Sequence, residues 1–251
     1  MPLAPLLELQ SEGGVVMLLK PKKTRGVLGG MGPAAAAEFL RILAHDAGAK
    51  NDAEHPRIFM ISDPETPDRS DAIQGIGPSP ADVIKRNLLQ LAGWGADVLA
   101  VPCNTAHFFI DSFRQELPVP LVHIVEATVR AARRLSPGGA WLLATSGTKK
   151  CRIYPNCAEK LGYHFLEPSD SQQERLQSSL RAVKAGQMEQ AGKIIKSVVE
   201  ELWCENEAAV ATACTELPLA YAASGLPAER QISSIQALSD ACLNVLFKAQ
   251  G

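Results

Sequence analysis

The chain carries the same local pattern once in each half, and this repetition limits the folds that it can adopt. In residues 100–105, AVPCNT, an apolar run ends on a cysteine that small polar residues follow at once. Residues 210–216, VATACTE, do nearly the same. The two cysteines, Cys103 and Cys214, lie 214 − 103 = 111 positions apart, a little under half of the 251 residues. This spacing predicts two similar halves, each with a strand that ends on a cysteine.

Short β-branched runs alternate with longer helical patterns, which is typical of parallel sheets covered by helices on both faces. Strands are predicted over residues 24–30, 57–62, 97–103, 121–125, 140–145, 164–168 and 209–214. Helices are predicted over residues 33–48, 79–95, 173–203 with a break near Gly186, and 234–250. We therefore expect an α/β fold of two pseudo-symmetric lobes, each a parallel sheet flanked by helices, with the active site in the cleft between them.

The strand pattern starts again at residues 121–125, and this restart sets the predicted domain boundaries. The first lobe is expected to comprise residues 24–119 and 231–251, and the second lobe residues 120–230. Residues 1–23 are interpreted as an N-terminal extension with a hairpin turn at SEGG, residues 11–14. This segment lacks a basic start, and Glu8 and Glu12 interrupt its apolar run, which argues against a secretory signal.

Composition argues against several classes of partner. The net charge of −2 provides no basic field for nucleic acid or an anionic membrane. No apolar run approaches the roughly 18 residues that a membrane span needs. The six cysteines form no C-x-x-C pair and have no histidine-rich companion, so free thiols and no metal site are expected. The sequence thus predicts a cytoplasmic protein that binds a small molecule.

The two cysteines fall where an open parallel sheet binds its ligands, at the carboxyl ends of strands. If the lobes face each other, Cys103 and Cys214 approach one ligand from opposite sides. Backbone N–H groups and the helix dipole at such positions are expected to lower the pKa of both thiols. The neighbouring Asn104, Thr105 and Thr215 offer donors that can hold a carboxylate without a metal.

A glycine-rich stretch, GVLGGMGPAAAAEF over residues 26–39, is the third candidate binding element. Its glycines let the backbone approach a ligand, and the helix after them presents unpaired N–H groups to an anion. The stretch also fits a relaxed dinucleotide-binding pattern through Gly30, Gly32 and Ala35. This pattern requires an acidic residue about 20 positions after the glycines. The candidate, Asp63, lies too far along the chain, so a nucleotide site is disfavoured.

Three other features have both a structural and a functional interpretation. Arg69 lies in the acidic stretch ISDPETPDRSDAI, residues 61–73. It either forms local ion pairs on the surface, or lies over the cleft and binds a substrate carboxylate through two hydrogen bonds. LLATSGTKK, residues 142–150, ends a strand on residues suited to anion binding: Thr145, Ser146 and Thr148. His107 follows Cys103 by one helical turn, and we expect it to cap or pack that helix rather than pair with the thiol.

The motifs GVLGGMGP, PDRS, VPCNTAH, LLATSGT and ACTELP stand in the order found in the aspartate/glutamate racemase superfamily, which the chain resembles from about residue 24 to its end. The paired CNT and CTE motifs are specific to that superfamily. The GGMGP opening is similar to that of the aspartate racemases rather than to the glutamate racemases of cell-wall synthesis. The chain departs from the usual pattern at Ala144, where a glycine normally precedes Thr145.

The resemblance implies racemisation of an acidic amino acid without pyridoxal phosphate or metal, in an enzyme whose relatives are commonly dimers. It makes Cys103 and Cys214 the acid and base on opposite faces of the substrate. It assigns the α-carboxylate and amino group to Met31, Asn104, Thr105 and Thr215. It assigns further contacts to Arg69 and Lys184 at the distal carboxylate, to Thr145 and Thr148, and to Glu216 beside the second thiol.

Two opposed thiols suit a racemase because inversion needs a proton removed from one face and another returned to the opposite face. The leading hypothesis is therefore an aspartate racemase whose lobes close on the substrate. Related enzymes with paired thiols remain alternatives: a glutamate or broad-specificity racemase, a hydantoin racemase or a maleate isomerase. A decarboxylase would need only one thiol, and a non-catalytic sensor of acidic amino acids would need neither.

Overall fold

The computed structural model describes residues 23–247, which form two four-stranded sheets in which every paired strand is parallel. The strands of the first sheet are β1 (Arg25–Gly29), β2 (Ile58–Ser62), β3 (Val98–Ala100) and β4 (Leu121–Val122). Those of the second are β5 (Ala140–Ala144), β6 (Phe165–Leu166), β7 (Ala209–Ala213) and β8 (Gln231–Ser233). Their orders, β2-β1-β3-β4 and β6-β5-β7-β8, are equivalent. The predicted pseudo-symmetric α/β fold is confirmed.

Helices connect the strands and cover both sheets. Those of the first half are α1 (Pro33–Asp46), α2 (Arg69–Gln74), α3 (Ala81–Gly93), α4 (Ala106–Ile110) and α5 (Ile124–Leu135). Those of the second half are α6 (Ser146–Lys150), α7 (Ile153–Lys160), α8 (Asp170–Lys184), α9 (Met188–Glu205), α10 (Leu217–Ser224) and α11 (Ser234–Phe247). In residues 23–247 no helix combines the length and the apolar character that crossing a membrane requires.

Most predicted elements lie within a few residues of their expected bounds. The break near Gly186 is confirmed, since α8 and α9 are separated there and Gly186 has a φ of +75° that favours glycine. The predicted N-terminal extension, apart from Lys23, and the last residues of the predicted C-terminal helix lie outside the described residues.

Strand pairing differs from the prediction at two edges. Residues 121–125 were expected to begin the second lobe, but β4 pairs with β3 and completes the first sheet. No strand was predicted at residues 231–233, yet β8 pairs with β7 and completes the second sheet. Both strands have only two or three residues, so they carry too little pattern to reveal which sheet they join. The lobe boundaries at residues 119/120 and 230/231 stay a prediction.

The two sheets share one apolar core. A single cluster of buried side chains includes Val27 of β1 and Leu142 of β5, together with Ile124 of α5 and Leu238 of α11. Helix α11 contacts β4 of the first sheet and β7 and β8 of the second. Two further clusters each cover the outer face of one sheet. The carboxyl ends of both sheets are thereby held at fixed positions relative to each other.

Helices α9 and α10 pack closely at Gly192, which makes this position a test of the packing. A Cβ atom on residue 192 would lie 2.7 Å from the backbone oxygen of Ala223. We expect Gly192→Ala to lower the free energy of unfolding by about 1–3 kcal/mol, because the contacted atoms are backbone and cannot move aside cheaply. Urea unfolding measures this change.

Gly93, the last residue of α3, supplies the control. A Cβ atom there would meet no atom within 4 Å. Gly93→Ala should therefore leave the unfolding free energy unchanged or raise it by about 0.5–1 kcal/mol through helix propensity. Equal effects of the two substitutions would contradict the close packing of α9 on α10.

Candidate active site

A cavity of about 300 Å³ opens where the carboxyl ends of the two sheets meet. The two central strands of each sheet deliver side chains to it: β1 leads to Met31, β3 to Cys103, β5 to Thr145 and β7 to Cys214. The remaining lining residues are Asn104, Thr105, Ser146, Thr215 and Glu216 from the same strand ends, Asp68, Arg69, Ser70, Asp71 and Gln74 around α2, and Gln177, Leu180 and Lys184 on α8. The two cysteines therefore line one cavity from opposite sheets.

The turn after β1 depends on glycine. Gly30 has a φ of +94°, and a Cβ atom there would lie 2.4 Å from backbone atoms of Asp63. A larger residue would therefore force the segment after β1 away from the segment after β2. Gly32, two residues further along, faces the second half of the chain: a Cβ atom there would lie 3.3 Å from Glu216 Oε1. These close approaches bring Met31 to the cavity wall.

His107 supports the backbone at Cys103 without contacting its sulfur. His107 Nε2 accepts a hydrogen bond from Ile124 N at 3.4 Å, so Nδ1 carries the proton and donates to Cys103 O at 2.8 Å. Burial and the nearby His123 lower the pKa of His107 well below its ordinary value, so the ring stays neutral. The structural role expected for His107 is confirmed.

The expectation that both thiols have lowered pKa values is wrong. Burial raises the pKa of the Cys103 thiol, although Arg69 opposes this shift. Burial raises the pKa of Cys214 well above its ordinary value, and the Glu216 carboxylate raises it further. Each cysteine is only 6% exposed. Removal from water therefore raises the thiol pKa by more than the backbone donors expected from the sequence lower it.

The two thiols have different charged neighbours. Cys214 Sγ donates to Glu216 Oε2 at 3.0 Å, and this bond favours the protonated thiol. The Arg69 guanidinium beside Cys103 instead favours the thiolate. Cys103 is therefore the thiol that loses its proton more readily.

Arg69 lines the cavity rather than forming surface ion pairs. It is the first residue of α2, where Asp68 caps the helix by accepting from the backbone N–H groups of Ser70 and Asp71. Arg69 Nη1 donates to two backbone oxygens, at Thr66 and Pro67. Its Nε is buried and has no hydrogen-bond partner among residues 23–247. The guanidinium thus keeps an unused donor next to the cavity.

Three threonine hydroxyls join the two halves of the wall. Thr105 Oγ1 lies 3.1 Å from Thr145 Oγ1 and 2.8 Å from Thr148 Oγ1. Thr148 is fully buried and, unlike the other predicted site residues, does not line the cavity. The structure therefore places Thr148 behind Thr105 and Thr145, where it supports the wall.

The distal part of the cavity contains residues that the sequence did not reveal. Gln177, Leu180 and Lys184 follow each other at helical spacing on α8, and only Lys184 was predicted. Gln177 Oε1 accepts from the backbone N–H and the hydroxyl of Ser146. Positions four and seven residues before Lys184, here Leu180 and Gln177, share its helix face, so helical periodicity was the available signal.

Helices α2 and α6 contact each other closely beside the cavity. A Cβ atom on Gly147 of α6 would lie 2.7 Å from Ser70 Oγ and 2.8 Å from Ser70 Cα. Only a residue without a side chain allows this contact. Within the described range, no group of three or more potential ligand side chains is arranged to hold a metal ion.

Comparison with known proteins gives consistent matches over most of the chain. Residues 28–241 match the family described as Asp/Glu/hydantoin racemase. A broad-specificity amino-acid racemase of Bacillus subtilis is 28% identical over 201 residues, which cover 76% of this chain and 85% of that protein.

Solved structures share the fold. The aspartate racemase of Picrophilus torridus superposes with a TM-score of 0.79 at 27% identity, covering 90% of this chain and 95% of that one. A glutamate racemase of Bacillus anthracis, at 20% identity and a TM-score of 0.63, covers 90% of this chain and 82% of that one and shares the fold.

The charged neighbours of the thiols predict opposite effects of two substitutions on alkylation. Glu216→Gln removes a negative charge beside Cys214, so the pKa of Cys214 should fall and its alkylation rate at a fixed pH should rise by about tenfold. Arg69→Gln removes a positive charge beside Cys103, so the pKa of Cys103 should rise and its rate should fall by a similar factor of about ten. Rates of iodoacetamide labelling as a function of pH, resolved by peptide mass spectrometry, measure both effects.

The exposed Cys204 serves as the internal reference, because neither substitution lies near it. Its labelling rate should be the same in all three proteins. An unchanged Cys214 rate in Glu216→Gln would contradict the effect of Glu216 on this thiol.

Proposed function

Because the chain belongs to the Asp/Glu/hydantoin racemase family and is an isomerase of the racemase type, we propose that it interconverts L- and D-aspartate by proton transfer between two thiols. The observation that carries this proposal is that Cys103 and Cys214, at equivalent strand ends of two sheets, line one cavity. A base on each side of the α-carbon is what inversion requires, since a single base would tend to return the proton to the face it came from. In this proposal the reaction needs neither pyridoxal phosphate nor a metal.

The different charges near the thiols suggest their starting states. Cys103, beside Arg69, is the thiol that loses its proton more readily, and as the thiolate it removes the α-proton of one enantiomer. Cys214, whose proton is directed at Glu216, begins as the thiol and protonates the opposite face. In the reverse direction the roles exchange.

The carbanion formed at the α-carbon needs fixed donors near the carboxylate that it conjugates with. Asn104, Thr105 and Thr215 lie at the strand ends beside the two cysteines, and we assign them, with Met31, to the α-carboxylate and amino group. All four are at most 5% exposed. In so dry a site, such donors stabilise negative charge more strongly than they would in water.

Two cationic side chains in the cavity favour a substrate whose side chain ends in a carboxylate. Arg69 and Lys184 line the cavity from α2 and α8, and we assign both to the side-chain carboxylate. A cavity of about 300 Å³ lies at the small end of ligand sites, which suits a four-carbon amino acid. Thr145 contacts the substrate in this assignment, whereas Thr148 supports Thr105 from behind.

A broad-specificity racemase is the second candidate function. It is favoured by the Bacillus subtilis relative, whose name describes such an activity. Uncharged polar groups, Gln74 and Gln177, line the cavity beside the cations and can accept other side chains.

We also propose, as the sequence suggested, that the protein is a cytoplasmic homodimer. Light scattering of the purified protein tests whether it is a dimer.

Removal of either thiol tests the reaction. Cys103→Ala and Cys214→Ala should each reduce racemisation of L- and D-aspartate by roughly 10²–10⁴-fold, because each removes one of two required proton-transfer groups. Chiral chromatography of products formed in deuterated water measures both inversion and deuterium incorporation at the α-carbon. Cys151→Ala, at a thiol outside the cavity, is the control and should retain activity. Near-wild-type turnover in either cavity variant would rule out the two-thiol mechanism.

Lys184 tests the assignment of the distal carboxylate. Lys184→Met should raise KM for aspartate by about tenfold or more through loss of a charge-assisted contact, with little change for alanine. Lys160→Met, at an exposed position at the end of α7, is the control. Equal losses for aspartate and alanine would contradict a role in recognition of the side-chain carboxylate.

A further inference from the structure

The side-chain amide of Asn104 is held by residues from the other half of the molecule. Asn104 follows β3 of the first sheet and lines the cavity. Tyr154 of α7 donates its hydroxyl to Asn104 Oδ1 at 2.6 Å. Asn104 Nδ2 donates to the hydroxyl of Ser234, the first residue of α11, at 3.0 Å. Both partners belong to elements that follow the first sheet in the chain.

These contacts lie away from solvent, so no water can easily replace them. Asn104 is 2% exposed, and Tyr154 and Ser234 are fully buried. Burial also raises the pKa of Tyr154 well above its ordinary value, so its hydroxyl keeps its proton across the usual pH range. Tyr154 itself does not line the cavity.

The orientation of this amide decides which of its atoms remains for a ligand. With Oδ1 engaged by Tyr154 and one Nδ2 hydrogen engaged by Ser234, the second Nδ2 hydrogen is the donor left unused. A rotated amide would instead leave an oxygen lone pair for the ligand. An oxygen would repel a carboxylate, whereas an N–H group binds it.

We infer that Tyr154 is a positioning residue for the racemase: its hydroxyl fixes the Asn104 amide so that an N–H group remains for the substrate carboxylate. The inference rests on the proposed function for the identity of the ligand. The orientation of the amide is a property of the protein alone and is measurable without substrate. Tyr154 acts in this way from behind the cavity wall.

Tyr163 provides a matched control for substitution of Tyr154. Both rings pack edge-on against Phe165, with centroid distances of 5.7 Å for Tyr154 and 5.1 Å for Tyr163. Tyr163 donates its hydroxyl to Ser136 O at 2.9 Å, remote from the cavity lining. Tyr154→Phe and Tyr163→Phe each remove the hydroxyl of a buried tyrosine together with one hydrogen bond, buried for Tyr154 and partly buried for Tyr163, so Tyr163→Phe is expected to cost no more thermal stability than Tyr154→Phe.

Kinetics then separate positioning from stability. Tyr154→Phe should lower kcat/KM for aspartate by about tenfold, mainly through KM, whereas Tyr163→Phe should change it by less than about twofold. In an Asn104→Ala background, Tyr154→Phe should have less than about a twofold further effect, because the amide it orients is gone. A loss of the same size in both backgrounds, or a loss that Tyr163→Phe reproduces, would overturn the inference.

A measurement without substrate keeps this inference separate from the proposed function. In nitrogen-15-labelled protein, the Asn104 side-chain amide signals are those that Asn104→Ala removes. Tyr154→Phe should shift these signals and weaken their protection from hydrogen exchange, whereas Tyr163→Phe should leave them unchanged. Unchanged signals in Tyr154→Phe would overturn the inference even in an active racemase.

The same spectra test the role of Tyr154 even if the wild-type protein does not racemise aspartate. That result would reject the proposed function, while shifted signals would still support the fixed amide. If Tyr154→Phe does not fold, Ser234→Ala removes the other contact of the amide. It should then shift the same signals, and unchanged signals would again overturn the inference.

Discussion

The apolar core shared by the two sheets is the constraint on which the cavity depends. Side chains of β1 and β5 belong to one buried cluster, and α11 contacts strands of both sheets. Because the cluster is continuous, neither sheet can shift relative to the other without exposing apolar surface. The strand ends that carry Cys103 and Cys214 are therefore held on either side of one small space. In the proposed reaction, the opposed positions of the two thiols would thus be set by packing remote from the reacting atoms.

Burial gives the two thiols a common property, and their neighbours make them differ. Removal from water disfavours both thiolates, and this effect is the first cause of each raised pKa. Arg69 then lowers the pKa of Cys103, whereas Glu216 raises that of Cys103 by its charge and that of Cys214 by both its charge and a hydrogen bond. A pseudo-symmetric fold thus supports an electrostatically asymmetric pair. In the proposed two-thiol mechanism, this asymmetry would let one thiol accept a proton while the other is ready to donate one.

The sequence predicted the parts of this structure that have a strong local pattern. Alternating strands and helices, the break at Gly186 and the paired strand-end cysteines all follow from periodicity and spacing. Strands β4 and β8 were misplaced or missed because two or three residues carry no period. The direction of the thiol pKa shifts was wrong because the depth of burial is a property of packing. The contact between Tyr154 and Asn104 joins residues 50 positions apart, and no local pattern links them.

The contact between α2 and α6 has a consequence for the position of Arg69. Ser70 and Gly147 are in close contact beside the cavity, and the shared core opposes rotation of whole sheets. Helix α2, by contrast, has six residues and none of them is buried, so its displacement exposes little apolar surface. Since α2 begins with Arg69, any displacement of this short helix also changes the position of the guanidinium relative to Cys103.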